Sequence, residues 1–186
     1  MLFISYAIFA QTEATTTDGK KVILNDDGTW SYAECGALVK SEISNGKMYT
    51  SAKDKITINE IGKSTGIDVT LLKGSTSVIV NFVYNGSDIK CIDKDAPMII
   101  EFTDDTKVNM KSMNDLNCKG SAALFLGKQM GNEANLKLLA TKKIKKISIE
   151  YSVKQNNEIV KIVGDFNTTP EQGDKIMKTI KCLGNL

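Results

Sequence analysis

The chain contains no histidine and no arginine; all 24 of its basic residues are lysine. Without histidine, the commonest general base and the commonest zinc ligand are both missing. Ser-His-Asp and Cys-His catalysis are therefore excluded, as is a mixed Cys/His zinc site. The formal charge is only +2. A near-neutral chain without arginine lacks the dense phosphate contacts and bidentate forks of a nucleic-acid binder. There are 2 prolines, so no proline-rich linker divides the chain. The four cysteines, Cys35, Cys91, Cys118 and Cys182, are dispersed and form no C-x-x-C pair. That removes a four-cysteine zinc site and a thioredoxin-like redox motif.

What remains is an ordinary globular balance, 41% hydrophobic and 25% charged over 186 residues. This suits one domain with small additions and a real core. Met1 to Ala10 is apolar apart from Ser5, and Gln11 follows. The stretch reads as the end of a secretory signal peptide cut after Ala10; the other reading is an apolar strand or a buried segment. It is too short to span a bilayer. If the signal reading holds, the four cysteines become two disulfides in an oxidising compartment. Three pairings are possible. The expected one joins Cys91 to Cys118 and Cys35 to Cys182; otherwise all four are buried thiols.

Val78 to Tyr84 is apolar at nearly every position and reads as a strand covered on both faces. Met98 to Phe102 and Lys107 to Met110, joined through Asp104-Asp105, form a hairpin with Met98, Ile100 and Phe102 on one side. This region is expected to be the centre of an antiparallel β domain. Val22–Leu24 and Trp30–Tyr32 make a hairpin around Asn25-Asp26-Asp27-Gly28, after a mobile Thr-rich lead-in. Leu38–Ile43 and Lys47–Ser51 make another around Asn45-Gly46. Ile56–Ile58, Ile67–Leu71 and Lys119–Phe125 read as further strands. Ile147, Ile149, Tyr151 and Val153 alternate with outward Ser148, Glu150, Ser152 and Lys154, and Asn156-Asn157 turns the chain into Ile159–Val163. Asn132 caps a short helix carrying Leu136, Leu139 and Ala140. The last helix has Thr169 as N-cap, Pro170 at the first position and Gln172 placed for a capping box. Ile176, Ile180 and Leu183 form its apolar stripe, and Gly173 weakens it slightly.

Three tempting motifs resolve into plain structure. Asn25 to Gly28 lacks the ligand spacing of a calcium loop. Gly62-Lys63-Ser64 lacks the first glycine of a phosphate loop. Lys142-Lys143-Ile144-Lys145-Lys146 reads as a solvated helix end running into a strand, with a basic patch as the alternative.

Several stretches together resemble a group of uncharacterised secreted proteins of Gram-negative bacteria. They are TTDGKKVILNDDGTWSY, Cys91-Ile92-Asp93, IIEFTDDTKV, Asn117-Cys118-Lys119-Gly120, KKIKKISI and Ile180-Lys181-Cys182-Leu183. The likeness runs over most of Asp18 to Leu183. The chain differs in carrying Asp104-Asp105 where the group has Asp-Gly, and in lacking that group's arginine. The resemblance implies an envelope location and paired cysteines but no reaction. The first hairpin also looks like a strand pair of small SH3-like wall-binding modules.

The expected fold is mainly β: an antiparallel sandwich or curved sheet with a short helix and a C-terminal helix packed on it, or else an α+β two-layer. The expected organisation is a signal peptide at 1–10, a hairpin appendage at 11–34 and a main β domain at 35–186. The expected function is a periplasmic or secreted, non-enzymatic β module of the cell envelope with a binding or structural role. No catalytic residue, cofactor, metal site, nucleic-acid partner or transmembrane span is expected. Trp30 and Tyr32 are the candidate contacts for an envelope glycan, peptide or protein. The other reading of Trp30 is an aromatic that docks the hairpin. The alternative function is a carboxylate-dependent glycan hydrolase drawing on Asp68, Glu101, Glu150 and Asp165.

Overall fold

A computed structural model of the chain describes residues 12–17, 21–24, 30–44 and 47–184. The expected signal stretch at 1–10 and the turns at Asn25–Gly28 and Asn45-Gly46 lie outside the described residues. The chain divides into two compact units, Met1–Ala37 and Leu38–Leu186.

The first unit is a three-stranded antiparallel sheet in the order β1 (Thr12–Thr15), β2 (Lys21–Leu24), β3 (Trp30–Tyr32). Leu24 pairs with Trp30 and Val22 with Tyr32, as a hairpin requires. Thr12–Thr15 is a correction to the sequence reading. It pairs with Lys21–Leu24 in full register instead of forming a loose lead-in, because β-branched threonine suits an edge strand. A single turn of helix, α1 (Ala33–Gly36), follows.

The second unit holds two antiparallel sheets. One contains β4 (Val39–Ser44), β5 (Lys47–Ala52), β6 (Ile56–Asn59), β7 (Gly66–Lys73), β8 (Val78–Tyr84) and a later strand, β11 (Ser121–Leu126). Its order is β11-β8-β7-β5-β4, with β6 beside the first half of β7. The other contains β9 (Pro97–Phe102), β10 (Lys107–Lys111), β12 (Ile144–Gln155) and β13 (Glu158–Asn167) in the order β10-β9-β12-β13. The two parts of the expected centre thus lie in different sheets. Between β11 and β12 come a short 3-10 turn, Lys128–Met130, and α2 (Glu133–Thr141); α3 (Pro170–Gly184) ends the chain. About half of the described residues are strand. Among them, no helix is long and apolar enough to cross a membrane.

Alternation builds the core. Val78, Val80, Phe82 and Tyr84 of β8 are buried, whereas Ile79, Asn81 and Val83 are only half covered. From the other sheet Met98, Ile100, Phe102, Ile147, Ile149 and Tyr151 join the same interior, and α2 and α3 add Leu136, Leu139, Ile176, Ile180 and Leu183. The final helix closes its N-terminus with a true capping box. Gln172 N–H donates to Thr169 Oγ1 at 3.2 Å, and Thr169 N–H donates to Gln172 Oε1 at 2.8 Å. At Asn156-Asn157 both residues take positive φ, 48° and 67°, the backbone that a two-residue hairpin turn demands.

Three local expectations change. Asn132 stands at the start of α2, but its side chain caps nothing there. It accepts from Gly127 N–H and donates to the Phe125 carbonyl, pinning the turn after β11. Gly173 is no defect, because a Cβ at that position would run into the backbone carbonyl of Ile144. The glycine lets α3 lie directly on β12. Ser148 and Ser152 are on the outer side of β12 yet buried. Their hydroxyls donate to Asp165 at 2.5 Å and Asp93 at 3.0 Å.

Candidate functional site

The densest chemistry of the second unit lies where its two sheets are tied together. After β8 the chain loops through Asn85–Ile89 and turns inward at Lys90. Cys91 then bridges Ser152 of β12, with hydrogen bonds of 2.9 and 2.8 Å, and Ile92 bridges Asn117. Cys91 is disulfide-bonded to Cys118, which fixes this crossing covalently. Cys35 and Cys182 are also in disulfide linkage, and no cysteine is free.

Lys90 is 4% exposed. Its ammonium lies 3.9 Å from the centre of the Tyr84 ring and 4.9 Å from that of Tyr151. It reaches Glu60 Oε2 at 3.1 Å; Glu60 is itself 6% exposed, and its other oxygen takes Lys63 at 2.8 Å. Burial pushes the Glu60 carboxyl up, but the two ammonium groups outweigh it and hold the acid below its ordinary range. Burial, and then the charge on Glu60, drive the Tyr151 hydroxyl well above the usual phenol range. Tyr151 Oη and Thr65 Oγ1 are buried with no hydrogen-bond partner among the described residues.

Local sequence explains the placement. Ile56, Ile58 and Glu60 share one parity, so Glu60 continues the inward row of β6 just past its end. Its backbone bridges Phe166 of β13. Gly120, at φ +62°, is required beside Tyr84, since a Cβ there would stand 2.7 Å from Tyr84 Cβ. The cluster is enclosed by β8, β12 and the loop, so no external substrate reaches the amine. Its chemistry is that of a clamp: a desolvated ion pair, two aromatic faces and a neighbouring disulfide. Sequence reasoning missed Lys90 and Glu60. The available signal was a charge at the inward position after Ile56 and Ile58, and a lysine placed directly before Cys91.

The sequence candidates fare differently. Trp30 and Tyr32 stand on β3, an edge strand of the first unit; their side chains lie outside the described residues. The four acids considered for hydrolysis each have their own partners. Asp68 takes Lys55 at 2.5 Å and accepts from Thr57 and Asn85. Glu101 takes Lys107 at 3.1 Å and Lys145 at 3.2 Å, Glu150 takes Lys161, and Asp165 takes Ser148 and Lys146. Asp68 sits on one sheet and the other three on the second. The Lys107 and Lys145 ammonium groups hold Glu101 below the usual range. At Asp68 burial opposes its hydrogen bonds to Lys55, Thr57 and Asn85, which prevail and lower it as well.

The lysine cluster that runs into β12 is likewise neutralised. Lys142 pairs with Asp104, Lys143 with Asp174, and Lys145 with Asp105, besides the Lys146 contact above. A β-bulge between Ile144 and Lys146 lets both Lys145 and Lys146 face outward. Among the described residues, an open cleft of about 310 Å³ lies at the far end of the unit. It has Val78, Leu136 and Leu183 on its floor and Lys73, Lys128 and Glu133 at its rim.

Compared with known proteins, the chain matches no protein-family model, no curated sequence and no solved structure.

Proposed function

We propose that the chain is exported to the periplasm or beyond and serves the cell envelope as a non-enzymatic β module, with Trp30 and Tyr32 as its contact residues. The observation that carries the non-enzymatic part is the fate of the acids. A glycosidase needs two carboxyls facing each other and one kept protonated. Here Asp68, Glu101, Glu150 and Asp165 are engaged separately by lysines and hydroxyls, and Asp68 and Glu101 are held below the usual carboxylate range. Export is supported by the four disulfide-bonded cysteines, which persist only outside a reducing cytoplasm in most organisms. The apolar start at Met1–Ala10 and the resemblance to secreted four-cysteine proteins point the same way.

The proposed ligand is a glycan, peptide or protein of the envelope, met by the aromatic edge strand β3. Trp30 is the only tryptophan, so its fluorescence reports on this surface alone. Titration with solubilised wall glycan and with envelope peptides is expected to move its emission with one of them. The Tyr32→Ala variant is expected to weaken that response about tenfold. Release of new reducing ends from the glycan would instead establish the hydrolase. A Trp30 signal untouched by every envelope fraction would remove the contact role.

A further inference from the structure

We infer that β13 is a self-association surface on which two copies of this chain pair edge to edge, antiparallel, about a twofold axis at Lys161. Among the described residues, β13 pairs with β12 on one side only. On its other side the edge is closed at one end, where Glu60 bridges Phe166 and Ile61 N–H donates to the Asp165 carbonyl at 2.9 Å. From Glu158 to Gly164 it is open among the described residues. That Asp165 carbonyl points away from β12, and strand geometry repeats every second residue. The N–H and C=O groups of Ile159, Lys161 and Val163 therefore face the open edge.

The sequence of this edge is self-complementary. Ile159-Val160-Lys161-Ile162-Val163 reads with the same residue character in both directions about Lys161. A twofold axis there sets Ile159 against Val163 of the second copy and Val160 against Ile162, which are β-branched pairs favoured across antiparallel strands. Ile159, Lys161 and Val163 all fall at hydrogen-bonded positions, giving about six backbone hydrogen bonds across the axis. The open stretch has the right limits as well. It runs three residues each way from Lys161, to the Asn156-Asn157 turn on one side and to the segment closed by Ile61 on the other. Ile159 is 78% exposed and Val163 61% exposed, high values for two large apolar residues on a single strand.

A lysine on an edge strand ordinarily blocks such pairing. Here the Lys161 ammonium is drawn back across β12 onto Asp93 and Glu150. Two copies meeting at Lys161 thus bring two ammonium groups together with four carboxylates, so like-charge repulsion at the axis is offset. The product is one continuous sheet across both copies. An interface this narrow is small by the standard of stable complexes, about 1,600 Å², so the association is expected to be weak, on the order of micromolar or above.

Sedimentation velocity of the oxidised full chain, from micromolar to millimolar concentration, is expected to show the mass rise from one chain to two. Ile159→Lys/Val163→Lys places charges on exposed positions that the fold does not use, and is expected to weaken association about tenfold or more. Register is read by cysteine cross-linking with a mild added oxidant. Paired hydrogen-bonded positions lie about 5.5 Å apart at Cα, within disulfide reach. Lys161→Cys is therefore expected to form a linked dimer, and Val160→Cys, which faces Ile162, is not. A chain that stays single at every concentration overturns the inference. So does a dimer that survives the double lysine variant, or one that cross-links as readily through position 160 as through 161.

Discussion

Replacing Glu60 by glutamine removes the anion that Lys90 faces inside the protein. Breaking a buried ion pair from one side costs about 3–5 kcal/mol, because a desolvated charge is left behind. The Lys90 ammonium keeps its two tyrosine faces and a neutral amide oxygen, so the expected cost of Glu60→Gln lies at the lower end, about 3 kcal/mol. Lys90→Met is the gentler lesion. It orphans Glu60 only in part, since half-exposed Lys63 still holds the other oxygen at 2.8 Å, and about 2 kcal/mol is expected. The double variant removes both charges and fills the space with an apolar chain of similar length. It is expected to cost only about 1 kcal/mol, far less than the sum, because no uncompensated charge remains. Urea denaturation at neutral pH with the disulfides intact measures all three. The acid limb carries a second signature. The folded Glu60 carboxyl lies below its ordinary 4.5, so its contribution is complete above that pH and is lost as pH falls through the folded value. Glu60→Gln should flatten that part of the stability curve. Single variants within about 0.5 kcal/mol of wild type, or costs that simply add in the double variant, would refute the clamp.

The close seat of α3 on β12 predicts that Gly173→Ala destabilises by about 2 kcal/mol despite alanine's better helix propensity, because the added methyl meets the Ile144 backbone; thermal unfolding checks this. Asp104 is held down to about 2 by hydrogen bonds from the Lys142 ammonium and from Thr106. Its stabilising effect is therefore full above about 4 and fades as pH falls toward 2. A carboxyl-carbon NMR titration should show that value in wild type and a rise toward 3.8 in Lys142→Ala. Peptide mapping without reduction is expected to recover Cys35 joined to Cys182, alongside the Cys91–Cys118 pair.

Much of the fold was legible because it follows from local rules. The alternation of Ile147, Ile149 and Tyr151, the Asn156-Asn157 turn and the Thr169/Gln172 capping box each depend on residues close in sequence. What the sequence withheld depends on tertiary contact. Gly173 reads as a weak helix position until β12 is seen to lie against it. Ser148 and Ser152 read as solvent-facing until Asp165 and Asp93 are seen to cover them. The separation of β8 and β9 into different sheets is set by the Lys90–Cys91 crossing, which no periodicity announces. The clamp was hidden for the same reason: Lys90 and Glu60 are 30 residues apart, and each alone looks like an ordinary surface charge. Trp30 and Tyr32 were singled out from residue type, and the described structure adds only their place on an edge strand.

Export of the chain and its two disulfides are both read from the intact mass of the natural protein from fractionated cells. Free thiols are blocked first, and the mass is read with and without reduction. The expected result is a chain beginning at Gln11, in the envelope or outside it, with no thiol blocked until reduction and four blocked afterwards. A chain retaining Met1–Ala10, found in the cytoplasm with four thiols already blocked, would contradict the export, the disulfides and the envelope role together.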